Sequence, residues 1–203
     1  MNLISIAFSA VAIIMSVTLH EFAHAYAADR LGDDTPRLMG RLTLNPVAHF
    51  DPFGAFLFLL MIFGFPTIAY GKPVQVNPYK FWDSRKGMMI VAFAGPVMNL
   101  LIAVFFTLLL HFPIAPLAKI LFFTFIQINV FLAIFNLIPI FPLDGEKIVA
   151  GLLSYEAAAR FDAFQKQYYM FLIIILILNS HAIIYPIANV LFTLLSYIGY
   201  PAI

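Results

Sequence analysis

The chain has 203 residues, of which 63% are hydrophobic and 10% are charged, and its formal net charge is +1. Soluble domains carry about 25% charged residues, so this composition excludes a soluble domain and indicates a polytopic membrane protein. The near balance of charge argues against a basic surface for nucleic acid, and the absence of cysteine restricts metal ligands to His, Asp and Glu.

The first apolar run carries the most informative motif. Residues 1–19 have no charged side chain and lack the basic start and cleavage site of a signal peptide, so we predict a retained helix from Leu3 to about Leu31. Near its end stands His20-Glu21-Phe-Ala-His24. Residues four apart share one helix face, so both imidazoles can reach a single Zn²⁺, with Glu21 beside it as a candidate general base. This motif indicates a metal-dependent hydrolase.

Two polar stretches and one interrupted apolar run follow the first helix. Residues 37–45 and 72–77 alternate apolar and polar side chains, which predicts a small β-hairpin or sheet near the metal. An exposed edge of that sheet could pair with an extended substrate. Residues 52–71 are apolar but are broken by two glycines and a proline, and we predict a re-entrant segment there.

The remaining apolar runs cover residues 87–118, 120–143 and 167–203. The first two predict single spans, and the last predicts two short helices with a turn at Asn179-Ser180-His181. The predicted fold is therefore an all-α membrane bundle of about five transmembrane helices plus the re-entrant segment. We expect a single domain over residues 1–203, with a catalytic core over about 1–155 and a C-terminal helical hairpin over about 156–203.

Asp144 follows the fourth apolar run, in a stretch that is broken by Pro139 and Pro142. A carboxylate at membrane depth is costly unless it is paired, bound to metal or in water. Irregular backbone at that depth is tolerated only inside protein or beside a watery cavity. Asp144 is thus the natural third ligand, because two His, one carboxylate and an open position make a catalytic zinc site.

The order of the runs tests this assignment. If every run crossed the membrane once, His20 and Asp144 would lie on opposite sides and could not share a metal. A re-entrant segment at 52–71, which does not cross the membrane, brings His20 and Asp144 to the same side. It also places ten of the eleven Lys and Arg residues on the metal side, with Lys119 opposite. The positive-inside rule then predicts a cytoplasmic active site and an external N-terminus.

The chain resembles the site-2 protease family of intramembrane zinc metalloproteases, in its compact bacterial form without a PDZ domain. The resemblance covers about Leu3 to Gly145. One difference is Glu146, where many relatives have a second glycine. The motifs that carry the resemblance are His20-Glu-x-x-His24, Gly40-Arg-Leu-Thr-Leu-Asn45-Pro46, Gly71-Lys-Pro-Val74, Gly95-Pro96-x-x-Asn99 and Asn136-x-x-Pro-x-x-Pro-Leu-Asp144-Gly145.

The resemblance implies that His20, His24 and Asp144 bind one Zn²⁺ and that Glu21 activates water. It also implies that Asn136 holds the substrate backbone, and it matches Asn99 to a second substrate-site position. The expected activity is endopeptidase cleavage of transmembrane protein substrates inside the bilayer, as in regulated intramembrane proteolysis. The expected location is the bacterial inner membrane.

A metal-ion transporter is the alternative interpretation, in which the His and Asp side chains carry an ion and do not catalyse. A transporter has no need of Glu21 as a base, and its ion pathway should continue through further polar groups. Residues 88–135 are almost wholly apolar apart from Asn99, Gln127 and Asn129. The sequence therefore favours the protease.

Overall fold

The first helix fixes the position of the metal motif. The computed structural model describes residues 3–49 and 72–199, and in it α1 runs from Leu3 to Arg30. Gly32 follows just beyond its end, and its φ of 101° is the left-handed conformation that glycine adopts at helix ends. The N–H of Asp33 then bonds the carbonyl of Ala28 at 2.9 Å. The helix thus ends about two turns beyond His24, as the sequence predicted.

Short elements connect α1 to the rest of the bundle. They are α2 (Thr35–Leu38), α3 (Pro46–His49) and a single 3-10 turn (Pro78–Lys80). One side chain just beyond the end of α1 holds this region, since the Asp33 carboxylate accepts hydrogen bonds from the N–H groups of Thr35 and Asn77 at 3.0 and 2.7 Å.

Longer helices complete the bundle. They are α4 (Ser84–Leu109), α5 (Pro116–Leu137), α6 (Asp144–Leu152), α7 (Tyr155–Leu178) and α8 (Ser180–Ser196). Capping explains where two of them begin, because Asp83 accepts from the N–H groups of Arg85 and Lys86, and Ser154 accepts from that of Ala157. Helix α4 is central and packs against α1, α5 and α6.

The helix lengths support four of the about five transmembrane helices that the sequence predicted. Among the described residues, α1, α4, α5 and α7 are long and apolar enough to cross a membrane. The fifth predicted helix, α8, has 17 residues and is shorter than these four. The protein is therefore an all-α integral membrane protein. The predicted re-entrant segment at 52–71 lies outside the described residues.

The predicted β-hairpin was wrong for the described residues, which contain no strand. Residues 37 and 38 belong to α2, where Pro36 stands in the first turn, and the chain then turns at Gly40, whose φ is 68°. Residues 72–77 have no regular structure. The N–H of Lys72 bonds the carbonyl of His49, and those of Val74 and Asn77 bond the carboxylates of Glu21 and Asp33. The alternation of side chains was therefore not accompanied by strand pairing.

The core of the bundle is aliphatic and aromatic. Ala12, Ile102 and Phe125 form one buried cluster that joins α1, α4 and α5. Many large apolar side chains outside the core are exposed, among them Leu101 and Phe105 on α4. Such faces are unfavourable in water and suit contact with lipid. The cluster holds α1 and α4 together about two helical turns before the metal motif.

Candidate metal centre

The two histidines of α1 point into the bundle against α4. Each is 8% exposed, and their rings meet edge to face with centroids 4.5 Å apart. Their Nε2 atoms are 3.0 Å apart. The spacing of four residues therefore does what the sequence predicted and brings both imidazoles to one point.

Asp144 reaches the same point from the first residue of α6. Its Oδ2 lies 3.2 Å from Nε2 of His20 and 3.3 Å from Nε2 of His24. His20 and Asp144 therefore lie at the same end of the bundle, as the order of the apolar runs had required. The three residues form a group that could hold a metal ion.

The distances fit zinc. Tetrahedral ligands about 2.0–2.1 Å from Zn²⁺ lie roughly 3.3 Å from one another. The three ligand atoms are 3.0, 3.2 and 3.3 Å apart. The Oδ2 atom of Asp144 is buried and makes no hydrogen bond within the described chain, which is costly without a cation. The donor set of two imidazoles and a carboxylate is that of a catalytic zinc site.

Both imidazoles have their other nitrogen occupied. Nδ1 of His24 lies 2.7 Å from the carbonyl oxygen of Val91, and a carbonyl can only accept, so this nitrogen carries the proton. Nδ1 of His20 lies 2.7 Å from Oδ1 of Asn99. Each Nε2 is then free to bind metal, which is the usual orientation of a ligating histidine.

Two glycines make room for the cluster. A Cβ on Gly95 would lie 2.5 Å from Cε1 of His20 and 2.5 Å from Nε2 of His24. A Cβ on Gly145 would lie 2.3 Å from the carbonyl oxygen of Leu137. Glycine at 95 therefore lets α4 approach the rings, and glycine at 145 lets the start of α6 pack against the end of α5. The sequence had placed both in motifs without giving this reason.

Glu21 lies one residue after the first histidine and is half-buried. Its Oε2 accepts a hydrogen bond from the backbone N–H of Val74 at 3.1 Å. The predicted base is therefore joined to segment 72–77, and the sequence gave no signal for this contact.

The two predicted substrate-site asparagines differ in their surroundings. Asn99 is completely buried, with Oδ1 facing His20 and Nδ2 donating to Oδ1 of Asn129 at 2.8 Å. Asn136 is partly buried near the end of α5, and its Nδ2 donates to the carbonyl of Leu132 in the same helix. Asn99 is therefore in contact with one of the candidate metal ligands, His20, whereas the hydrogen bond of Asn136 stays within its own helix.

Gln165 of α7 is a residue that sequence reasoning missed. It is 3% exposed, its Oε1 accepts from the N–H of Phe141 at 3.1 Å, and its Nε2 donates to the carbonyl of Pro139 at 2.7 Å. It therefore holds the proline-containing loop that leads to Asp144. Gln165 stands among Asp162, Lys166 and Gln167 in the polar first half of α7, so no signal in the sequence singled it out.

The fold and the cluster define a membrane protein with a His-His-Asp metal site at the end of a spanning helix. The sequence pattern of Peptidase family M50 matches residues 8–115 and 113–179. The chain belongs to this family and is a membrane zinc metalloprotease.

Curated relatives agree with this assignment. The chain is 37% identical to "Putative zinc metalloprotease YwhC" of Bacillus subtilis, over 88% of this chain and 84% of the relative. It is 31% identical to "Putative zinc metalloprotease Rip2" of Mycolicibacterium smegmatis, over 82% of this chain. It is 33% identical to the protein of that name in Mycobacterium tuberculosis, over 81% of this chain. The aligned part spans 64% of each Rip2. No solved structure matches the chain.

Proposed function

We propose that this metalloprotease cleaves transmembrane protein substrates within the bilayer, with His20, His24 and Asp144 as zinc ligands and Glu21 as general base. The observation that carries the proposal is the convergence of the three ligand atoms to within 3.3 Å of one another at the end of α1. Helix α1, which carries two of these ligands, is long and apolar enough to span, and this supports an approach of the substrate from the membrane.

Bound Zn²⁺ would polarise the scissile carbonyl and lower the pKa of a water molecule to about 7. Glu21 takes one proton from the attacking water and delivers it to the leaving nitrogen. The water oxygen adds to the carbonyl carbon and the C–N bond breaks, which leaves a carboxylic acid and an amine. The second water proton then passes from the acid to the amine, so that the final products are a carboxylate and an ammonium group. His20 and His24 would bind the ion through Nε2, since their Nδ1 atoms face Asn99 and the Val91 carbonyl.

The substrate must be extended at the cleavage site, because a helical peptide bond is hydrogen-bonded and sterically covered. Asn136 is proposed to hold the substrate backbone near the Pro139–Pro142 loop. We place the metal side in the cytoplasm and the protein in the bacterial inner membrane, supported by the excess of Lys and Arg on that side. The partners of the protein are then lipid and single-span substrates.

The test of the reaction is Glu21→Gln. The purified chain and a candidate single-span substrate are placed in the same vesicles, and cleavage products and bound zinc are both measured. We expect Glu21→Gln to keep zinc and to lose cleavage by at least about 100-fold, the size of a general-base contribution. Glu156→Gln, an exposed change of the same chemistry on α7, should cleave as wild type does.

The same experiment separates the protease from a transporter. Zinc uptake into the vesicles that survives Glu21→Gln, together with absent cleavage by the wild type, would favour the transporter.

The proposed orientation has its own test, because the chain contains no cysteine. Single cysteines at Tyr79 and at Lys119, both exposed, can be labelled with a membrane-impermeant thiol reagent. In intact cells we expect labelling at Lys119→Cys, and at Tyr79→Cys only after permeabilisation. The reverse pattern would place the metal side outside the cytoplasm.

A further inference from the structure

A chain of buried polar side chains leads from the metal cluster into the apolar interior of the bundle. Nδ1 of His20 faces Oδ1 of Asn99 at 2.7 Å, and Nδ2 of Asn99 donates to Oδ1 of Asn129 at 2.8 Å. Nδ2 of Asn129 donates to Oγ of Ser16 at 2.7 Å and to the carbonyl of Phe125 at 2.8 Å. Ser16, Asn99 and Asn129 are each 0% exposed. The chain links α1, α4 and α5.

The direction of every hydrogen bond in this chain is fixed from its far end. The carbonyl of Phe125 can only accept, so the atom of Asn129 beside it must be the amide nitrogen. The oxygen of Asn129 therefore faces Asn99 and requires the amide nitrogen of Asn99 there. The oxygen of Asn99 is then left for His20, whose Nδ1 must carry the proton.

We propose that Asn129 is a positioning residue of the metal centre, which sets the tautomer of His20 by fixing the amide orientation of Asn99. This inference rests on the zinc site proposed above, and it assigns Asn99 a role on the ligand instead of on the substrate. His24 needs no such relay, because its Nδ1 bonds the Val91 carbonyl directly.

The contact with Asn129 matters because the oxygen and the NH₂ group of an asparagine amide are nearly equal in size, so either can face His20. Without Asn129, Asn99 can rotate its amide by half a turn and present its NH₂ group to His20. Nδ1 of His20 would then become the acceptor, and the proton would move to Nε2, the atom that faces Asp144 and His24. In that tautomer Nε2 of His20 cannot bind zinc. The free energy needed to move the proton back to Nδ1 would therefore weaken zinc binding.

The test measures zinc affinity of the purified full-length chain in detergent by competition with a chromophoric chelator, without any substrate. We expect Asn129→Leu and Asn99→Leu each to weaken zinc binding by about tenfold or more, the usual effect of losing a partner of a ligating histidine. Thr107→Val is the matched control, because Thr107 is also 0% exposed and also bonds a helix carbonyl, that of Ala103. It should bind zinc as wild type does.

The double variant decides whether Asn129 acts through Asn99. If it does, Asn129→Leu should add no further loss of affinity to Asn99→Leu, whereas independent effects on packing should add. The double variant leaves neither amide unpaired, so this comparison remains decisive if Asn129→Leu alone does not fold. A further tenfold loss in the double variant would overturn the proposal.

A spectroscopic measurement reads the tautomer itself. Histidine ¹⁵N chemical shifts of the zinc-free protein distinguish Nδ1–H from Nε2–H, and we expect Asn129→Leu to move one histidine toward Nε2–H. Unchanged chemical shifts in Asn129→Leu, or a zinc affinity within about twofold of wild type, would overturn the proposed role of Asn129. The proposed protease activity would still be tested separately by Glu21→Gln. A wild-type chain that binds no zinc would overturn both.

Discussion

The backbone N–H of Val74 donates a hydrogen bond to Oε2 of Glu21, with 3.1 Å between the two atoms. Three residues further on, the N–H of Asn77 donates to Asp33, just beyond the end of α1. Segment 72–77 is thus held along the metal end of α1 by two carboxylates. One of these carboxylates is the proposed general base, so this segment sets the direction in which its free oxygen points.

Replacing Val74 by proline removes the N–H that bonds Glu21. We expect Val74→Pro to lower kcat by about tenfold, a part of the general-base contribution, because the carboxylate loses its orientation. Zinc content should not change. Val74→Ala is the control, since it keeps the N–H and trims only the side chain, and it should retain activity. Equal losses in the two variants would show that the side chain matters and the hydrogen bond does not.

Gly95→Ala places a methyl group against both imidazoles. Because the new Cβ would lie 2.5 Å from ring atoms of His20 and His24, the rings or α4 must move. We expect zinc affinity to fall by about tenfold or more, measured by chelator competition. Gly151→Ala crowds the side chain of Met89, so it should lower thermal stability but leave zinc affinity intact. Zinc binding of wild-type strength in Gly95→Ala would contradict the packing described here.

Gln165→Leu removes the clamp on the loop before Asp144. The change leaves the N–H of Phe141 and the carbonyl of Pro139 without their partner, and both hydrogen bonds are partly buried, so each loss costs about 0.5–1.5 kcal/mol. We expect a lower melting temperature in detergent and weaker zinc binding. Gln167→Leu, two residues along the same helix and exposed, should change neither quantity. A loss confined to the melting temperature would mean that the clamp stabilises the fold without positioning Asp144.

We expect Asp33 to make the stability of the zinc-free protein fall at acid pH. Burial acts to raise the pKa of this carboxyl, but hydrogen bonds from Thr35 and from the N–H of Asn77, with the charge of Lys80, hold the pKa below its ordinary value. Its contribution to stability is therefore complete above the unfolded pKa of about 3.9 and is lost as the pH falls through the lower folded value.

The measurement is the melting temperature of the zinc-free protein between pH 7 and pH 3. Wild type should lose stability below about pH 4, and Asp33→Asn should start lower and fall less. Asp162→Asn changes a surface carboxyl that pairs with Lys166 and should keep the wild-type profile. A wild-type profile in Asp33→Asn would exclude this carboxyl as the source of the acid dependence.

Residues close together in the chain were the easiest to predict. The bounds of α1 and the shared face of His20 and His24 follow from one apolar run and from helix periodicity. Asp144 could be predicted as their partner because a lone carboxylate at membrane depth needs one. The prediction of a β-hairpin was wrong because alternating side chains do not determine where backbone N–H groups will bond. Here the N–H groups of Val74 and Asn77 bond the carboxylates of Glu21 and Asp33.

The sequence by itself determined the class of the protein, the apolar runs of its long helices and the candidate metal ligands, because hydrophobicity and residue spacing act locally. Only the tertiary structure decided that Gly95 admits the two rings, that Gln165 holds the loop before Asp144 and that Asn129 stands behind Asn99. Those contacts join residues from separate helices. Their geometry depends on how the helices pack against one another, and no pattern within one helix carries that information.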